Sequence, residues 1–177
     1  LLADGKTKYG IMSSGFTAGS DCSVRINGKE YAMGKRGLNV VVYDAENERV
    51  MDSICFDTYS GNGITRSTGT VEVAFLQGSM EYMQEEALLN AEFCEYLQLI
   101  RKNHDYSVFV AIQDEGTYGL TGEMKELLHA IGLQTDLTGQ HRRSYYAVID
   151  GGTVKEQLGD GVIEAVGSLN DGTVYEI

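Results

Sequence analysis

Proline and tryptophan are absent from these 177 residues, cysteine and histidine occur three times each, and lysine and arginine together number only 14. Without proline, turn formation falls to the 22 glycines, which accept the positive φ that tight turns demand. Many sit in turn-forming pairs: Asn27-Gly28, Asn62-Gly63, Gly151-Gly152, Asp160-Gly161 and Asp171-Gly172. Such pairs favour hairpins, so the chain reads as rich in antiparallel sheet. The cysteines, Cys22, Cys55 and Cys94, are widely spaced and form no CxxC or Cys/His cluster of the zinc-site kind. Cys55 and Cys94 lie among apolar residues and read as buried free thiols; a Cys22–Cys55 bridge stays open. No metal or cofactor is expected. No apolar run reaches about 18 residues, so no transmembrane helix and no direct membrane insertion of this segment is expected.

Acidic residues number 26, which leaves a net charge of −12. That excess opposes binding to nucleic acid, where affinity rests on neutralising phosphates, and opposes an anionic membrane surface. Its plain consequence is solubility. A chain of this length fits one domain and buries roughly 70% of its unfolded surface, so it needs no disulfide scaffold. It opens on Leu1-Leu2, which reads as a processed product or an excised domain, and the missing targeting segment leaves the compartment open.

The most informative stretch runs from Arg36 to Tyr59. Leu38 to Tyr43 is β-branched and aromatic, Asp44 to Glu48 is turn-like, and Val50 to Phe56 extends again; together they predict a hairpin. Further strands are expected at Lys8–Ser13, Ser23–Ile26, Glu30–Ala32, Thr70–Leu76, Tyr106–Gln113 and Ser144–Asp150, with two short ones around Asn170-Asp171-Gly172. Ser14–Ser20 and Thr58–Thr68 read as Gly-rich loops. Leu89, Phe93, Tyr96 or Leu97, and Ile100 recur at helical spacing within a helix predicted over Gln84–Lys102. A second helix is expected over Thr121–Ile131, with Thr121 as N-cap and Gly132 at its end. The fold class is α+β: two mostly antiparallel sheets packed as a sandwich, with two or three helices covering them.

No catalytic signature stands out. Ser13-Ser14-Gly15 and Gly61-Asn62-Gly63 lack the strand, loop and helix pattern of a phosphate cradle. His104 follows a helix end, His129 lies within a helix, and His141 stands in a polar loop; nothing in their spacing favours a nucleophile–His arrangement. Asp114 and Glu115 are adjacent, so their side chains diverge on a strand. The stronger constellation is made of charged strand ends. Arg36 precedes one strand of the hairpin and Asp57 follows the other, so the two face each other at one rim. Asp114-Glu115 ends the buried strand, and Arg142-Arg143 precedes the strand from Ser144. One reading is a salt-bridge network locking loops to the sheet. The other is a polar site for a hydroxyl-rich ligand, with Tyr118, Tyr145 or Tyr146 as a stacking face.

At these residues the chain resembles the interleukin-like EMT inducer family, whose module is also called the GG domain. The resemblance runs through Asn27-Gly28-Lys29, Arg36-Gly37-Leu38-Asn39-Val40-Val41-Val42 and Phe56-Asp57-Thr58-Tyr59. It continues at Val110–Gly116, Leu127-Leu128 with Ile131-Gly132, and Arg143–Val148, and so spans about residues 9–152 of a single domain over 1–177. A C-terminal β extension covers about 153–177. The chain is similar both to the family's secreted cytokine-like members and to the stem domain of protein O-mannose β-1,2-N-acetylglucosaminyltransferase. The latter implies a lectin-like, non-catalytic module with Arg36, Asp114 and Arg143 as sugar-contacting residues. Glu115, Arg142, Tyr145 and Tyr146 are candidate accessory residues. The chain departs from the family in carrying Tyr146 where a tryptophan is usual and Arg142 where an aromatic is usual.

The resemblance therefore implies an extracytoplasmic or secreted carbohydrate-binding module, with a glycan or glycoconjugate and other domains of a parent protein as partners. A cytokine-like or protein-interaction module is the second expectation. A hydrolase or transferase built on Asp114 or Glu115 ranks last; an apolar cleft with a second carboxylate about 5–10 Å away would favour it. Asp57 reads as structural.

Overall fold

The computed structural model describes residues 7–59, 64–66, 85–102, 106–169 and 174–176, with side chains described outside 64–66, 85–92 and 174–176. The strands are β1 (Lys8–Gly15), β2 (Asp21–Ile26), β3 (Lys29–Glu30), β4 (Gly37–Asp44), β5 (Arg49–Phe56), β6 (Ile64–Arg66), β7 (Tyr106–Asp114), β8 (Ser144–Asp150), β9 (Thr153–Gly159), β10 (Ile163–Ser168) and β11 (Val174–Glu176). Helix α1 spans Glu85–Lys102 and α2 spans Gly122–Ala130, and a 3-10 turn covers Phe16–Ala18. The protein is thus α+β, mostly strand with two α-helices among the described residues. The expectation of two separate sheets is corrected: hydrogen bonds join all eleven strands into one mixed sheet. Among the described residues, its one parallel pairing is between the ends of β1 and β7, Ser14 with Gln113 and Gly15 with Asp114.

The predicted hairpin forms as β4 and β5, with Leu38 opposite Phe56 and Asp44 opposite Arg49. β7 runs antiparallel along the whole of β4, from Gly37–Gln113 to Asp44–Tyr106. β4 and β7 read as nearly continuous apolar runs because both of their faces are covered. Residues alternate between two cores. Val40, Val42, Val108, Val110, Tyr145 and Ala147 face α1 and α2. Val41, Tyr43, Phe109, Ala111, Tyr146 and Val148 join Tyr9, Ile11, Val24 and Ala165 in a second cluster. In the first core, Phe56 meets Phe93 and Tyr96 edge-on at 4.9 and 5.5 Å, contacts worth about 0.5–1.5 kcal/mol each beyond area burial. The Tyr96 hydroxyl also donates to the buried Asp52 carboxylate at 2.8 Å, which ties α1 to β5. Thr121 caps α2, accepting from the Met124 amide, and Gly132 takes up φ +122° just beyond it.

Within the stretch read as a loop over Thr58–Thr68, Ile64–Arg66 forms β6 on the edge of β5. A three-residue strand is too short for an alternation in the sequence to announce it. The predicted strand at Thr70–Leu76, the Asn62-Gly63 and Asn170-Asp171-Gly172 turns and His104 lie outside the described residues. The three cysteines are free. Burial pushes the Cys22 thiol up to about 12 and Cys55 upward as well.

β1 enters between β7 and β8. Ser13 Oγ donates to Ile112 O at 2.5 Å and accepts from Tyr145 N at 2.9 Å, bridging the two strands. Gly15 N donates to Ser144 Oγ, which donates onward to Gly161 O. A Cβ on Gly15 would stand 2.2 Å from Arg142 O, so the wedge requires glycine. Gly15→Ala should lower stability by at least about 2 kcal/mol, whereas Gly152→Ala, where a Cβ meets nothing within 4 Å, should change it by less than about 0.5 kcal/mol. Urea denaturation monitored by circular dichroism checks this. Equal midpoints for the two variants would contradict the wedge.

Candidate functional site

The strand ends set out the charged residues in a fixed order along one rim. Arg36 directly precedes the paired Gly37 and Gln113, so it stands beside Asp114 on one side and Asp57 on the other. Gly37 holds this corner: its φ is +116°, and a Cβ would lie 2.1 Å from Phe56 O. Gly15 comes next, paired with Asp114 and pressed against the Arg142–Arg143 backbone. Asp114, Gly15 and Arg143 are therefore successive along the rim, and Arg36 flanks Asp114.

The expected Arg36–Asp57 pairing is present as a two-point contact. Arg36 Nε and Nη2 donate to the two Asp57 oxygens at 3.2 and 2.8 Å. This hydrogen bonding, together with charge from Asp57 and then Asp114, raises the Arg36 pKa above its ordinary value despite the opposing effect of desolvation. Arg143 is held in a similar way, Nε on Asp160 at 2.8 Å and Nη1 on Gln140 at 2.8 Å. Each guanidinium has five N–H donors, so each keeps donors beyond those its partners use. Asp114 differs. It is half-buried, its backbone sits at φ +66°, and its carboxylate has no hydrogen-bond or ion-pair partner among the described residues, only the charge of Arg36 nearby. Beside it on β7, the Gln113 side-chain oxygen is buried without a hydrogen-bond partner among the described residues.

A run of rings in tilted contact lies along the same rim. The Arg36 guanidinium stands 4.7 Å from the centroid of Tyr59. Tyr59 is 5.6 Å from Tyr118, and Tyr118 is 5.6 Å from His141. Tyr118 is 68% exposed and Tyr59 43%. Two local clamps hold them. Buried Thr58 donates to Gly116 O and accepts from Gly119 N through its carbonyl, where a Cβ on Gly119 would approach to 2.5 Å. Buried Glu115 accepts from the amides of Thr117, Tyr118 and Arg142, stitching the loop after β7 to the one before β8. Thr117 Oγ1 contacts His141 Nδ1 at 3.2 Å.

Two expectations are corrected here. Tyr145 and Tyr146 present no stacking face, being 0% and 1% exposed. β8 is covered on both sides, so Tyr145 enters the helix-side core and Tyr146 the opposite one, their hydroxyls on Glu156 and Gln157. Glu115 is no accessory ligand group either, because it is buried and its oxygens serve three amides. Arg142 is exposed and stands 5.0 Å over the ring of Phe16. Tyr118 stays at the surface as expected. Tyr59 was missed, although its place two residues beyond Asp57 puts it on the rim Arg36 marks. Among the described residues, no three His, Cys, Asp or Glu side chains converge as metal ligands, and no helix is long and apolar enough to cross a membrane.

A family model described as interleukin-like EMT inducer matches residues 36–153, and the chain belongs to that family. No curated protein matches it. The matched span starts at Arg36 and takes in Asp57, Asp114 and Arg143; the wedge strand β1 lies before it.

Removing the buried Glu115 carboxylate leaves three amides without their acceptor. Glu115→Ala should cost about 2–4 kcal/mol and speed amide exchange at Thr117, Tyr118 and Arg142 ahead of the core strands. Hydrogen exchange read by NMR checks this; unchanged protection at those three amides would contradict the role.

Proposed function

We propose that this chain is a non-catalytic carbohydrate-binding module, extracytoplasmic in setting, whose ligand lies across the rim at Arg36, Asp114 and Arg143. The observation that carries the reading is Asp114, a half-buried carboxylate with no hydrogen-bond partner among the described residues, seated between two arginines whose aspartates fix their planes. Such a carboxylate is an acceptor for sugar hydroxyls, and the spare N–H groups of Arg36 and Arg143 are donors to hydroxyl or acetamido oxygens. A left-handed backbone at a residue other than glycine costs about 1 kcal/mol or more, and Asp114 bears that cost at the place where its carboxylate is open. The exposed ring of Tyr118, next to Tyr59, supplies an apolar surface of the kind that covers a pyranose face.

A second reading has its own support. Tyr59 and Phe16 are large exposed rings beside arginines, and the exposed Tyr118 lies next to Tyr59, the composition of protein-interface hot spots. In that case the charged pairs are structural and the partner is a protein.

Asp114→Asn separates the two. Asparagine tolerates positive φ but removes the charge, so the variant should fold with an unchanged melting temperature and bind its glycan about tenfold or more weakly. A glycan array followed by calorimetry checks this. Absence of binding to any glycan, or equal affinity for wild type and variant, would sink the carbohydrate reading.

A further inference from the structure

We infer that Arg142 selects an acidic glycan, one bearing a carboxylate or a sulfate ester, over its neutral counterpart. This rests on the carbohydrate reading and adds to it the class of ligand. Arg142 belongs neither to the Arg36–Asp57 contact nor to the Arg143–Asp160 contact, and it makes no ion pair with any described residue. In a chain of net charge −12, it is the one of the three rim arginines whose guanidinium has no ion-pair partner among the described residues.

Three observations fix it in place. Its amide is bound at 2.7 Å by the buried Glu115 carboxylate. Its guanidinium stands over the Phe16 ring at 5.0 Å, and stacking of this kind leaves the edge N–H groups open to other acceptors. Its backbone lies at φ +64°, a conformation that glycine adopts without cost. A long cationic side chain is thus held at a strained position and ordered by a ring, with its donors unused among the described residues. It also sits in the right place: its carbonyl is pressed against Gly15, which pairs with Asp114, and Arg143 follows it in sequence.

Asp114 itself disfavours an anion directly beneath it. The acidic group is therefore placed at the Phe16 end of the rim, with the hydroxyls of the same or a neighbouring sugar over Asp114. A planar guanidinium matches a carboxylate or sulfate by paired hydrogen bonds. Binding should accordingly weaken as salt rises, more for acidic than for neutral glycans.

The test is an array of matched pairs that differ in one acidic group: uronate against hexose, sulfated against unsulfated, sialylated against asialo. It is read with wild type, Arg142→Gln and Arg142→Lys. All three keep the amide that Glu115 holds, and melting temperatures verify that the variants fold. Wild type should prefer the acidic member of at least one class of pair by about tenfold. Arg142→Gln should bring that ratio to about one, and Arg142→Lys should retain part of it. The class of pair that responds distinguishes carboxylate from sulfate. Equal or better binding of the neutral members, or a preference that survives in Arg142→Gln, overturns the inference while leaving the carbohydrate reading intact. Absence of binding to every glycan overturns both.

Discussion

The structure turns on a glycine wedge. The last residues of β1 push between the ends of β7 and β8, and Ser13 Oγ stands in for the ladder bonds those strands would otherwise make to each other. The two strands pair directly only from Val108–Ile149 to Ala111–Tyr146; beyond that β1 separates them. The gap is closed by backbone, since a side chain on Gly15 would overlap Arg142. Asp114 and Arg143, which would face each other in an uninterrupted ladder, are instead set on either side of Gly15. The wedge decides both how the two cores are joined and how far apart the charges of the rim stand.

Arg36 and Arg143 depend on a second layer of acids. Asp57 and Asp160 hold the guanidinium planes, and at exposed positions such pairs contribute little to stability. Their effect is geometric: an arginine fixed on one edge offers its remaining N–H groups in one direction. The same logic applies to the rings. Tyr59 is held under Arg36, and Tyr118 follows a loop bound by Glu115 and Thr58. The rim is therefore ordered by contacts within the fold, and order of this kind would reduce the entropy cost of binding a ligand there.

Much of this was legible in the sequence wherever the cause is local. The hairpin from Arg36 to Asp57 follows from two β-prone runs around a polar turn, and its register alone brings Arg36 to Asp57. α1 and α2 followed from apolar spacing and from the Thr121 cap. The wedge was not legible, because pairing of Gly15 with Asp114 joins residues far apart in the chain and leaves no local pattern. For the same reason the sequence read two sheets where one mixed sheet forms. Tyr145 and Tyr146 misled because adjacent aromatics on a strand look like one exposed face and one buried face; with both faces of β8 covered, neither ring is free. Glu115 resembles a ligand group in sequence because its three amide partners lie in loops whose approach only the tertiary fold sets.

The reading of this rim as a ligand surface is tested most directly by mapping. The 15N-labelled chain is titrated with a pool of short neutral and acidic oligosaccharides, and amide shifts are followed by NMR. Shifts centred on residues 36–37, 57–59, 113–118 and 141–143 are the predicted result. Shifts confined to the outer faces of α1 and α2 or to the β11 edge, or none at any concentration, would contradict it.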